Sequence, residues 1–189
     1  MKILKIMSYV ITVPFTLILL FINLSPQFGS NPKKIEKEYY SGYSNYEDGE
    51  FKNKEATALF TDEMSFWDFF KTEINREPIK ELIPLDLDIN SFILNNSDEI
   101  ELVWLGHSAF IININGVIVL LDPMLGNHAA PVPLPSLKRY SSQLAFDIDK
   151  LEKIDFVIYS HDHYDHLDYP TIKKIKDKVG LFIVPLGIG

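Results

Sequence analysis

The chain has 189 residues, of which 47% are hydrophobic and 23% charged, a composition that supports one globular domain with an N-terminal appendage. Its formal net charge of −8 argues against a nucleic-acid-binding surface, because phosphate recognition requires clustered lysine and arginine. The sequence has no cysteine, which excludes disulfides and thiolate ligands, so any metal must be held by imidazole and carboxylate.

The first element is a charge-free run over residues 6–24, preceded by a short basic flank. As a helix at about 1.5 Å per residue, the run would span about 28 Å, which is close to the thickness of the bilayer hydrocarbon. We expect an uncleaved single-pass anchor within residues 1–24; a cleaved signal peptide and a buried helix are the alternatives. Lysines on both sides leave the orientation open, although signal-anchor logic favours an exported domain beside membrane lipid.

The next segments are a linker and an amphipathic helix. Residues 25–54 are largely polar in their second half and lack a sustained hydrophobic period, so we interpret them as a linker. Residues 55–76 place aromatic and apolar side chains three and four positions apart, which predicts a helix. Its aromatic stripe either packs on the core or borders an apolar substrate. The folded domain would extend over residues 55–189.

Three strands follow. Residues 101–105 and 109–114 have strand-like composition, and the returning segment 117–121 is almost wholly apolar. Asn115-Gly116 between the last two predicts a type I′ hairpin. A strand that is apolar on both faces is typical of the inside of a layered domain.

A further apolar strand, residues 155–160, follows a long loop and leads into a segment rich in His and Asp. Beyond that segment we predict a lysine-rich helix over residues 169–178, with Pro170 in its first turn. Residues 181–184 return as a strand. The chemistry is therefore expected at the C-terminal end of a buried strand.

Three of the five histidines fall within six residues, at His161, His163 and His166. Alternate residues of a strand share a face, so His161 and His163 can bind one metal ion, while Asp165 and His166 would reach an adjacent one. Such a layout suits Zn²⁺, with Fe or Mn possible on the same ligands, and a metal bound there lowers the pKa of its water. The segment predicts metal-assisted hydrolysis, with Asp165 as the candidate catalytic carboxylate.

Two carboxylates of this segment allow two interpretations each. Asp162 and Asp168 are either partners of the metal ligands or carboxylates that are solvated or cap a loop. His128 lies in a proline-bounded loop and is read as a solvated side chain.

Residues 160–168, Ser-His-Asp-His-Tyr-Asp-His-Leu-Asp, match the signature of the metallo-β-lactamase superfamily. This match is highly specific. Shorter segments resemble the bacterial relatives of N-acylphosphatidylethanolamine-hydrolysing phospholipase D with moderate specificity. The resemblance runs from Glu101 to the last residue, and more loosely through residues 45–51; the segments are residues 103–107, 121–123, 138–140 and 184–189.

The resemblance implies an α/β fold, the N-terminal half of an αβ/βα sandwich, preceded here by the expected transmembrane helix. It also implies two zinc ions, one on His161 and His163 and the other on Asp165 and His166. Asp122 would be a buried carboxylate that supports the metal-binding loop, with a simple turn residue as the alternative. His107 is read as a core histidine or one that supports a ligand, and substrate contact is the alternative.

The superfamily's site also uses two further histidines and a bridging carboxylate, which the resemblance places beyond residue 189. We therefore expect either a fragment of a longer protein or a truncated, inactive, membrane-tethered product. For the intact protein, the resemblance implies a phosphodiesterase of phospholipase D type acting on phospholipid. A lactonase or other small-ester hydrolase of the same fold is the alternative.

Overall fold

A computed structural model of the chain describes residues 2–55, 78, 80–141 and 143–188. The chain divides into two compact units, one formed by Met1–Asn31 with Ile83–Gly189 and the other by Pro32–Leu82. The amphipathic helix predicted over residues 55–76 lies, apart from Glu55, outside the described residues.

The chain begins with helix α1 (Lys2–Leu24), which contains Pro14 and is followed by a 3-10 turn at Pro26–Phe28. From Tyr9 onward its apolar side chains are exposed. In the described part of the chain, no helix is both long and apolar enough to cross a membrane. The structure therefore does not support the transmembrane part of the fold prediction.

The smaller unit contains helix α2 (Lys34–Tyr40) and a short hairpin of strands β1 (Tyr46–Glu47) and β2 (Glu50–Phe51). Asp48 and Gly49 connect the two strands with φ angles of 54° and 86°, as a primed hairpin turn requires. The rings of Tyr40 and Phe51 pack with centroids 5.4 Å apart. This part of the predicted linker therefore forms local structure around an aromatic cluster.

The larger unit is built on a five-stranded mixed sheet with the order β3-β4-β5-β6-β7. The first two pairings are antiparallel and the last two are parallel. The predicted strands and the Asn115-Gly116 turn, at φ 49° and 83°, are confirmed. The strands are β3 (Ile100–Gly106), β4 (Ala109–Ile114), β5 (Val117–Leu121), β6 (Ile154–Ile158) and β7 (Val179–Ile183).

One face of this sheet is covered and forms the core. Helices α3 (Ile89–Leu94) and α4 (Tyr169–Ile175) contribute buried side chains to the same cluster as the inward-facing residues of β4 and β5. A 3-10 turn continues α4 to Lys178, which confirms the predicted helix. Buried Asn113 donates from Nδ2 to two carbonyl oxygens at the end of α3. This hydrogen bonding satisfies backbone groups that a helix end leaves unpaired.

The opposite face of the sheet is apolar and largely open to solvent. Its most exposed side chains lie on β3, where Leu102 and Trp104 are 57% and 63% accessible. Others on the same face are Ile100, Ile114, Val117, Leu181 and Ile183. The larger unit thus has one mixed sheet whose covered face packs against α3 and α4, a mixed α/β architecture that agrees with the predicted fold class.

The strand directions place three loops at one edge of the sheet. Because β3 and β5 are each antiparallel to β4, and β6 is parallel to β5, the C-terminal ends of β3, β5 and β6 lie at the same edge. Ligand sites in α/β proteins gather at the carboxyl ends of such strands. His107, Asp122 and the His/Asp segment each follow one of these ends.

Candidate metal centre

The His/Asp segment forms a compact turn between β6 and α4. The backbone amides of His166 and Leu167 both donate to the carbonyl oxygen of His163, at 3.0 and 2.8 Å. Asp168 ends the turn as the N-cap of α4 and accepts from the amide of Thr171 at 3.1 Å. These hydrogen bonds within the segment brace a short loop that carries all four candidate metal ligands.

Asp122 braces the start of this loop from the end of β5. Its Oδ1 accepts from the amide of Ser160 at 2.7 Å, and its Oδ2 accepts from the Ser160 hydroxyl at 2.6 Å. The residue is almost fully buried and has a positive φ of 41°. Burial acts to raise the pKa of Asp122, but the hydrogen bonds from Ser160 and His166 together hold that pKa below its ordinary value. Asp122 is therefore ionised at neutral pH.

The same carboxylate fixes the orientation of His166. Asp122 Oδ2 lies 3.0 Å from His166 Nδ1, and an ionised carboxylate can only accept a hydrogen bond. The proton of a neutral His166 is therefore on Nδ1, and Nε2 is left with its lone pair. A carboxylate behind a histidine in this way is the usual support of a metal-binding imidazole.

The ring of His161 contacts those of both other histidines of the loop. The ring centroids of His161 and His163 are 4.6 Å apart, and those of His161 and His166 are 4.1 Å apart. Ser160 Oγ lies 2.9 Å from His161 Nδ1. Since Ser160 also donates to Asp122, one short network connects the loop's first histidine to its last.

Asp165 meets a residue from a distant part of the sequence. Its Oδ2 lies 2.9 Å from His107 Nε2 and 3.9 Å from His166 Nε2. His107 follows β3 with a positive φ of 47°, and the Trp104 indole donates to its carbonyl oxygen at 2.7 Å. The structure thus places His107, half exposed, beside the candidate metal ligands rather than in the core.

Asp168 braces the far end of the loop. It is completely buried, and its Oδ2 accepts from the amide of Gly126 at 2.9 Å as well as from Thr171. Burial raises the pKa of Asp168. Arg139, which is partly buried, donates to the carbonyl oxygens of Leu125 and Gly126. Asp168 therefore holds the His/Asp loop to the segment after β5.

Other residues near the motif lie outside this network. Asp162 is exposed, and His128 forms an isolated β-bridge with Lys138. Sequence reasoning did not single out Ser160, although its place between the strand and His161 was visible. It also missed Gly126, because nothing in the sequence around this glycine indicates its contact with Asp168.

The donor set fits a divalent transition metal. Imidazole and carboxylate are the ligands that Zn²⁺, Fe and Mn accept, and the buried Asp122 behind His166 is a feature with no purpose in a merely solvated His/Asp tract. His161, His163, Asp165 and His166 are the side chains that would hold such ions. A metal bound there would supply an activated water for hydrolysis.

Comparison with known proteins agrees with this chemistry. Residues 101–181 match the beta-lactamase superfamily domain. An uncharacterized protein of Mycobacterium tuberculosis is 30% identical over 154 residues, covering 77% of this chain and 40% of the relative. A metal-dependent hydrolase of family UPF0173 from Hyperthermus butylicus is 42% identical over 64 residues, covering 34% of this chain and 22% of the relative.

A third relative is the N-acyl-phosphatidylethanolamine-hydrolyzing phospholipase D 1 of Caenorhabditis elegans, 35% identical over 88 residues, which cover 45% of this chain and 24% of the relative. The chain spans less than half the length of each of these relatives. The matched domain covers β3 to β7 and includes the braced His/Asp loop. The segment from residue 101 to residue 181 is therefore a beta-lactamase superfamily domain, as the resemblance predicted.

Proposed function

We propose that the protein containing this chain is a metal-dependent phosphodiesterase of phospholipase D type that acts on a phospholipid. The observation that supports the hydrolase chemistry is the buried Asp122 behind His166, which leaves His166 Nε2 available to a metal beside Asp165. The substrate class is supported by the likeness to the Caenorhabditis elegans phospholipase.

Different residues of the chain would have different roles in such a reaction. His161 and His163 would hold one ion, and Asp165 and His166 the other, with zinc the expected metal. Asp122 and Ser160 keep the loop in place before any metal binds, so little reorganisation is needed. Asp165 is about one-third exposed, which leaves it accessible to a water molecule and able to accept a proton from it.

The surface beside the site suits a lipid. Trp104, whose indole donates to the carbonyl oxygen of His107, is 63% exposed beside the site. Aromatic side chains with one polar atom are favoured where water meets lipid. Membrane lipid is therefore the partner that this edge of the molecule would face.

The test uses the full-length natural protein, loaded with zinc and presented with N-acylphosphatidylethanolamine in mixed micelles. Water attack at phosphorus should break the bond to the N-acylethanolamine and leave phosphatidic acid, and His161→Ala with His163→Ala should abolish turnover. Hydrolysis of no phospholipid would refute the substrate class. Turnover of lactones in a parallel screen would then favour a small-ester hydrolase of the same fold.

The second candidate is that this chain is inactive by itself, since it spans less than half the length of each relative. The 189-residue chain should then show no turnover with phospholipids or lactones, even when it binds metal. Measurable hydrolysis by this chain alone would reject that candidate.

A further inference from the structure

His107 lies beside the His/Asp loop, and the superfamily resemblance does not make it a metal ligand. Its Nε2 and the ligand atoms of Asp165 and His166 lie within 4.8 Å of one another. In the described residues, these three side chains are the one group of His and carboxylate ligands that meets this spacing. Two histidines and one carboxylate with open positions form a common site for divalent metals.

The distances within this group are close to those of a filled site. Zinc–nitrogen bonds of about 2.0 Å place neighbouring ligands of a tetrahedral site about 3.3 Å apart. The separations from Asp165 Oδ2 are 2.9 Å to His107 and 3.9 Å to His166. Small rotations of the exposed His107 and Asp165 side chains would bring the three atoms to this spacing.

Two further observations set this group apart from an accidental cluster. Asp122 is buried and binds Nδ1 of His166, so that Nε2 faces the group with its lone pair. His107 holds a left-handed backbone conformation, as does Gly106 before it at φ 102°. Such strain in a residue other than glycine costs free energy and is concentrated at functional sites. This backbone conformation brings the His107 imidazole within hydrogen-bonding distance of Asp165, and the Trp104 indole donates to the His107 carbonyl oxygen.

We propose that His107 is a third protein ligand for the metal ion held by Asp165 and His166. This inference rests on the proposed metal chemistry and deepens it, because it predicts that this chain binds one ion tightly and at this position. His161 and His163 offer only two ligands within the described residues. They should bind their ion more weakly.

The experiment measures zinc binding by the full 189-residue chain, stripped with a chelator and titrated in competition with a chromophoric chelator. His107→Leu and His107→Gln are compared, since both place a Cβ at the same strained φ. Glutamine retains a hydrogen-bond donor for Asp165 but has no imidazole. Circular dichroism and the unfolding midpoint show whether each variant is folded, and His128→Gln is the control.

We expect one tightly bound zinc ion per chain, and a loss of more than about 100-fold in affinity in both His107 variants. A residue that only orients a ligand typically contributes about 10- to 100-fold, and its conservative variant restores binding. Near-normal affinity in His107→Gln would therefore overturn the proposal and leave His107 as a hydrogen-bond partner of Asp165. Equal affinity in both variants and the wild type would overturn it too, with the metal chemistry intact. A wild-type chain that takes up no zinc would overturn both.

The same titration with Co²⁺ identifies the ligands by a second readout. Visible absorption bands of the bound Co²⁺ report its coordination number and geometry, so replacing an imidazole should change their position and intensity. An identical spectrum in His107→Leu and in the wild type would contradict ligation by His107.

Discussion

Substituting Gly126 with alanine should destabilise the fold by about 2 to 6 kcal/mol. An alanine Cβ at this position would lie 2.7 Å from Asp168 Oδ2 and 2.9 Å from Asp168 Oδ1. Those distances are too short for any real contact, and Asp168 is fully buried, so its carboxylate has little room to withdraw. Overpacking of a buried site typically costs about 1 to 3 kcal/mol.

A second loss adds to the first. Withdrawal of Asp168 would break its hydrogen bond from the Gly126 amide, and leaving a buried polar group unpaired costs about 1 to 3 kcal/mol. Asp168 Oδ1 already has no hydrogen-bond partner among the described residues, so the site has little capacity to compensate. The range of about 2 to 6 kcal/mol is the sum of these two contributions.

The assay is urea unfolding at pH 7, followed by tryptophan fluorescence and circular dichroism. Gly42→Ala is the matched control, because its Cβ would meet only the Tyr39 carbonyl oxygen at 3.4 Å. That variant should unfold within about 0.5 kcal/mol of the wild type. A Gly126→Ala protein that is equally stable would show that Asp168 does not hold the metal loop to the segment after β5.

Three further outcomes are expected. Asp122→Ala should weaken zinc binding at least about 10-fold, measured by chelator competition, because Ser160 and the His166 imidazole lose their acceptor. Because the pKa of Asp122 is lower in the folded protein than in the unfolded chain, the ionised side chain stabilises the fold above the ordinary aspartate pKa, and this contribution is lost as pH falls through the folded-state value. The unfolding free energy of Asp122→Asn should therefore decline less than that of the wild type in an acid titration. Asn113→Leu should cost about 1 to 3 kcal/mol in urea unfolding, because the carbonyl oxygens of Phe92 and Asn95 lose their donor; an unchanged midpoint would contradict the buried hydrogen-bond network.

The sequence predicts the parts of the fold that depend on neighbours along the chain. Alternation, apolar runs and the Asn115-Gly116 pair locate the strands to within two residues, because side-chain period and turn geometry are local properties. The His/Asp loop is equally visible, since its four candidate ligands lie within six residues.

The remainder depends on contacts between distant residues. His107 and Asp165 are 58 positions apart and meet only because the ends of β3 and β6 lie at one edge of the sheet. Asp168 shows the same limit: its capping of α4 is readable from the Asp-x-x-Thr spacing, but its contact with Gly126 is not. The apolar run at the N-terminus predicts a membrane-spanning helix from composition, and no helix in the described part of the chain is long and apolar enough to span a membrane.

The strand order has a consequence for how the protein is made. Each strand of this sheet after β3 pairs with the strand that precedes it in the sequence, so the sheet can grow by addition of one strand at a time as the nascent chain leaves the ribosome. The antiparallel β3–β4 and β4–β5 pairings close short loops and are fast, whereas the parallel β5–β6 and β6–β7 pairings close longer loops and are slower. The Asp122 brace, by contrast, can engage only after Ser160 and His166 have emerged. The metal site should therefore be completed late in synthesis, on a sheet edge that is already formed.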